Sequence, residues 1–310
     1  MSRQLRELDR LDAVDPGRRS PSTGWIPEDP RNWSALAPSP ATRGARLNRL
    51  WRRGVMSALV VAGLFAAVHF VPALRADATD GAAHQANANW PPVGAGEARH
   101  ARGRPPGQVP TGNHAFLSRQ QGLHRSPVAW DPCRQIHYVT SGVPPRGAEH
   151  VVDTAVREIS KATGLQFVDD GPTKERPTSK RAPYLPQRYG KVWAPVLVSW
   201  TTPHDIPILA GDVAGRGGAT GVSSGAGLEV YVSGDVILDR PQLSKLRAAG
   251  GKAEVLAVVL HEFGHLVGLA HVKDRTQIMN PVGVPGVNHY KAGDREGLAI
   301  LGRGRCAPDV

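Results

Sequence analysis

AEVLAVVLHEFGHLVGLAH, residues 253–271, is the stretch from which the rest of the chain is best read. Through Val267 it is apolar almost all round, the pattern of a helix buried inside a domain. His261 and His265 stand four residues apart, so their azimuths differ by about 40° and both imidazoles project from one face. Two such rings can grip one ion at nitrogen–metal distances of roughly 2.0–2.1 Å. Glu262 sits on the adjoining edge, placed to reach a metal-bound water rather than the metal. In a continuing helix His271 would lie about 15 Å along the axis from His261, too far to share an ion. The chain must therefore turn back. Gly268 supplies the turn, because glycine accepts the left-handed conformation that ends helices. HExxH alone would arise by chance in about one to two of a hundred chains of this composition, and the full HExxHxxGxxH spacing in roughly one in ten thousand.

Three protein ligands leave a fourth position open, which marks a catalytic rather than a structural zinc. One Zn2+ held by His261, His265 and His271 would bring its water toward a pKa of about 7, with Glu262 as the base that takes the proton. Amide bonds of peptides or proteins suit that arrangement. The competing reading is a zinc-bound protein of the cell envelope that recognises a partner without cleaving it. Glu262 argues against it, since a binding module has no need of a base beside an open zinc. A purely structural zinc would require a fourth side chain.

Regular patterning begins near Trp130 and predicts a domain over 126–310. Residues 135–140 alternate as a strand, 147–163 carry the apolar stripe of an amphipathic helix, and 165–168 resume as a strand. A polar loop with Pro172, Pro177, Pro183 and Pro186 follows, then strands at 196–200 and 228–232, the latter continuing into 235–238. This order predicts an α+β fold with helices packed on a twisted mixed sheet. Cys133 and Cys306 are the only cysteines, one near each end of the domain. Outside the cell they would form a disulfide closing a long loop; two buried thiols are the other reading. His204-Asp205 reads as a surface turn, or as a contribution to a second, structural metal.

Upstream of the domain the composition changes. Residues 54–74, GVMSALVVAGLFAAVHFVPAL, hold no formally charged side chain. As a helix they would span roughly 30 Å, the thickness of the hydrocarbon core. Arg43, Arg46, Arg49, Arg52 and Arg53 precede the run and Arg75 follows it. That asymmetry predicts a single-pass anchor with the N-terminus cytoplasmic and the domain outside. Cleavage near Ala78, giving a secreted protein, is the alternative. Residues 1–53 read as a disordered cytoplasmic tail and 75–125 as a low-complexity spacer with scattered His84, His100, His114 and His124. The net charge of +11 is spread across all these regions, with only +3 from 126–310 (twenty-one Lys/Arg less eighteen Asp/Glu). No basic face stands out, which excludes a nucleic-acid partner. Nothing in the sequence sets the oligomeric state.

Taken together, these residues resemble the metzincin metallopeptidases, and within them the matrixin-like group, in a membrane-anchored bacterial form. HEFGHLVGLAH at 261–271 is similar to the extended zinc signature. Gln277-Ile278-Met279-Asn280-Pro281 resembles the Met-turn that floors the zinc site, with Met279 as the soft apolar base beneath the imidazoles. Residues 290–298 resemble the last helix of such domains, with Asp294 near its start. The resemblance implies that 218–223 form the edge strand along which an extended substrate backbone lies. Two departures stand out. The chain has no Pro-Arg-Cys-Gly-type switch upstream, and no tyrosine follows Met279 at the short spacing of some sister families.

Overall fold

The computed structural model describes residues 90–122 and 125–310. The tail at 1–53, the apolar run at 54–74 and the start of the spacer lie outside the described residues. Among the described residues no helix is long and apolar enough to cross a membrane.

Two short strands, β1 (Ala115–Phe116) and β2 (Ala129–Trp130), precede the body of the sheet. That body contains β3 (Ile136–Ser141), β4 (Phe167–Pro172), β5 (Val196–Thr201), β6 (Gly215–Ser223) and β7 (Glu229–Asp239). β4, β3, β5 and β7 lie side by side in that order and all run parallel. β6 pairs antiparallel along the length of β7, and β2 adds a short parallel pairing at Val230 and Tyr231. Parallel neighbours need long connections. Here the β3–β4 connection carries helix α1 (Val151–Thr163), and the β4–β5 connection carries the one-turn helix α2 (Pro186–Tyr189). Only β6 and β7 are close enough in sequence for a hairpin. The sheet is thus mixed, as expected, but mostly parallel. Continuous burial of β5 on both faces fits that arrangement.

β7 leads directly into α3 (Arg240–Ala248), then α4 (Lys252–Val267), the short strand β8 (Leu269–Ala270) and α5 (Ala292–Leu301). α4 packs on α1 and β6 and is buried from Val258 through Val267 without a break. Val259, Phe263 and Leu266 are wholly buried there, each stabilising the fold by roughly 1.5–3 kcal/mol. The expected buried helix is therefore the spine of the domain. Cys133 and Cys306 are joined by a disulfide with Cα atoms 5.4 Å apart.

One boundary moves. Residues 90–122, read from composition as spacer, are laid along the domain. The Ala98 and Arg102 amides donate to the Cys133 and Pro132 carbonyls, both at 2.9 Å. Farther on, β1 pairs antiparallel with β8. The glycines that look like linker permit close backbone approach. A Cβ on Gly103 would lie 2.1 Å from the Gly164 carbonyl oxygen, and one on Gly112 2.5 Å from the Gly293 nitrogen. Neither contact leaves a periodic signature in the sequence.

Candidate active site

α4 presents His261 and His265 from one face, and the chain then reverses at Gly268, whose φ of 118° is the left-handed conformation expected of it. Its amide closes the helix on the Gly264 and His265 carbonyls. Three residues later His271 arrives opposite the helix. The three Nε2 atoms form a nearly equilateral triangle, 3.0 Å from His265 to each of the others and 3.1 Å from His261 to His271. Around a tetrahedral zinc at the usual bond length, ligand nitrogens stand roughly 3.3 Å apart. His261 Nδ1 lies 2.7 Å from the Ile278 carbonyl and His265 Nδ1 2.8 Å from that of Leu269. Each Nδ1 must therefore carry the proton, which leaves the Nε2 lone pairs of both rings turned inward. Neutral nitrogens facing one another at this spacing fit a cation between them. Burial reinforces the state: it holds His261 far below the usual imidazole range and takes His265 down to about 3. His271 is half-buried, so the site opens on its side.

Glu262 is 1% exposed. Burial pushes its carboxyl up to about 8, against the Gly217 amide that donates to it and the nearby Arg216 charge. Oε2 has no hydrogen-bond partner, so Oε1 is the oxygen held by Gly217. β6 approaches this residue through two glycines. A Cβ on Gly217 would lie 2.0 Å from the Glu262 carbonyl oxygen, and one on Gly215 2.9 Å from Glu262 Cγ. Sequence reasoning missed both, although glycines within a strand mark close backbone approach.

Met279 is 1% exposed and lies against α4 at Gly264, where a Cβ would fall 2.4 Å from its sulfur. The turn that carries it is fixed by Asp294. That buried carboxylate accepts the Ile278 amide at 2.8 Å, the Met279 amide at 3.2 Å and the Lys291 amide at 3.0 Å. Burial raises the Asp294 pKa, and these amides oppose the rise. Its position near a helix start was legible, but its grip on the Met279 turn was not. Tyr290 donates its hydroxyl to the Leu260 carbonyl at 2.6 Å and is buried. His204 and Asp205 are exposed and 3.4 Å apart. Among the described residues only two groups of three ligand-type side chains are close enough to share an ion: the histidine triad, and Asp131 with the two disulfide cysteines. His204-Asp205 is thus not joined to further ligands.

A buried helix with two inward histidines and a third beyond a glycine turn forms a triad that could hold a metal ion, with the buried Glu262 next in sequence to the first of them. Residues 212–300 match the family model described as Matrixin, so that segment is similar to the matrixins. The match spans β6, β7, α4, the three histidines and the Met279 turn. Solved structures similar to the chain include the crystal structure of archaemetzincin from Methanopyrus kandleri. It is 13% identical, with 56% of this chain and 88% of that chain covered and a TM-score of 0.30. No curated protein matches the sequence.

Proposed function

We propose that this protein is a membrane-anchored, extracytoplasmic zinc endopeptidase. The observation that carries the reading is the convergence of three imidazole Nε2 atoms, together with a buried carboxylate next in sequence to His261 whose Oε2 no protein group satisfies. Zinc bound there supplies a Lewis acid for the scissile carbonyl and makes water acidic enough to lose a proton near neutrality. Glu262 does the proton work: burial alone favours its protonated form, but a cation held by the triad would favour the ionised one, and Oε2 then accepts a proton from the attacking water and returns it to the leaving amine. The Gly217 amide keeps the other oxygen fixed, so the carboxylate does not swing away. Among the described residues no strand pairs with the outer edge of β6, and an extended peptide can add there as a further strand. The uncharged run at 54–74 and its five preceding arginines support the anchor and its orientation.

The full chain, purified in detergent, should hold one zinc and cleave members of a diverse peptide library. Glu262→Gln should keep the zinc and lose about 10²-fold or more in kcat. Stoichiometric zinc with no cleavage by the wild type would favour the non-cleaving envelope protein instead. Protease added outside intact cells should remove the domain while sparing residues 1–53. Release of the domain into the medium with an N-terminus near Ala78 would replace the anchor with secretion.

A further inference from the structure

The turn that delivers His271 has few supports of its own. Gly268, Leu269 and Ala270 separate the end of α4 from the ligand, and β8 is two residues long. A strand that short holds its place only through a partner. The partner is β1, in register Phe116 with Leu269 and Ala115 with Ala270. The Leu117 amide extends the pairing by donating to the Gly268 carbonyl at 2.9 Å. Leu269 is also the residue whose carbonyl accepts from His265 Nδ1.

The strand that lines this turn is itself tied down on both sides. The Gly112 amide donates to Glu296 Oε2 on α5 at 2.8 Å, and His114 Nδ1 lies 3.4 Å from the same oxygen. Beyond β1, Gln120 bonds the Glu229 backbone twice: Nε2 donates to its carbonyl at 2.6 Å and Oε1 accepts its amide at 2.9 Å. Phe116 packs against the main core. On its far side the turn is held by the Met279 segment, through Val272 N to the Met279 carbonyl at 3.0 Å.

We propose that residues 115–117 are positioning residues for the metal centre. Their backbone holds the 268–270 turn so that His271 meets the other two ligands and the Leu269 carbonyl orients His265. They act through the turn, not on the ion. The inference rests on the three histidines being metal ligands, and it places part of the zinc site's support in a segment that composition marks as spacer. A fragment starting at residue 126 would lack that support.

Co2+ is a suitable probe, because its visible absorption reports ligand geometry and its affinity can be read by competition with a chelator. In the full chain, Leu117→Pro removes the amide that bonds Gly268, whereas Leu117→Ala keeps it. Leu117→Pro should weaken Co2+ binding about 10-fold or more and alter the visible band, as loss of an orienting partner does. Leu117→Ala should stay near wild type. Glu296→Ala, which frees Gly112 and His114 at a partly exposed site, should weaken binding by a smaller factor with an unchanged circular dichroism spectrum; it carries the test if the proline variant does not fold. Wild-type affinity and spectrum in the folded variants would overturn the proposal, as would equal losses in the proline and alanine variants. A wild-type chain that binds no Co2+ would instead overturn the metallopeptidase reading beneath it.

Discussion

Two sets of polar side chains are buried on opposite faces of the sheet, and they differ in one respect. Alternation along β7 turns Gly234 toward Leu266 of α4 and Ser233 to the other face. On that other face Glu175 is matched completely. Oε1 accepts from Arg181 Nε at 2.7 Å, and Oε2 accepts from Arg181 Nη2 and the Tyr189 hydroxyl. Arg181 uses its remaining donors on the Ser233 hydroxyl and the Gly234 and Pro195 carbonyls. Burial alone would raise the Glu175 pKa, but the Arg181 and Tyr189 bonds outweigh it and hold it below the usual carboxylate range. On the α4 face the balance is reversed. Lone pairs of His261 and His265 face one another, Glu262 Oε2 has no donor, and burial prevails at all three residues. A buried polar set that is satisfied builds structure; one left unmatched is arranged for something else to complete it.

The sharpest way to break this contrast is to remove one member from each set. His265→Ala should abolish stoichiometric zinc and reduce peptide cleavage to background. It should shift metal-free stability only modestly, by about 1–2 kcal/mol, because the lost ring had nothing but the Leu269 carbonyl to satisfy. Zinc analysis and a urea titration with chelator would check both halves. Retention of one tight zinc would remove His265 from the ligand set.

Arg181→Met should do the opposite. It strands Glu175 in a buried position with only the Tyr189 hydroxyl, a loss of about 3–5 kcal/mol in unfolding free energy. Zinc content of the folded fraction should not change. A variant as stable as the wild type would mean that the ion pair adds nothing over apolar packing at that place.

The two sets were not equally legible in the sequence. The α4 set was, because a 3.6-residue period puts His261 and His265 on one face and a helix-ending glycine lets the chain turn back with His271. Met279 was legible only through the resemblance of residues 277–281 to the Met-turn; on its own it reads as core. The outer set was hidden because Arg181 and Glu175 sit in a proline-rich loop whose composition says nothing about where it folds back. Asp294 and Gly217 were hidden for a related reason: each acts on backbone amides or carbonyls far away in sequence. Strand positions were largely readable from alternation, but the parallel order was not, since period two does not reveal a neighbour. Residues 90–122 were misread because close backbone packing through glycine resembles a linker on composition alone.

Asp235 gives the smallest and most specific test, since it belongs to neither set completely. It lies opposite Gly218 in the sheet, is 7% exposed, and its Oδ1 has no hydrogen-bond partner. Burial pushes its carboxyl up to about 6, although the Arg181 and Arg216 charges pull the other way. In the unfolded chain the same group titrates near 3.9. Between about pH 4 and pH 6 the folded state therefore binds more protons than the unfolded state, so this residue's contribution falls as pH rises through that window. Two pH units correspond to about 3 kcal/mol at most. Asp235→Asn, which mimics the protonated form, should be more stable than the wild type at pH 7, with the gap closing as pH falls toward 4. Glu175, shifted the opposite way, loses its contribution only on acidification below the usual carboxylate range, and it is common to both proteins, so it cancels in the difference. Urea unfolding of both proteins from pH 4 to pH 8 would measure the gap. A difference that stays constant with pH would show that the Asp235 proton is not its source, and that this carboxylate belongs with the satisfied set after all.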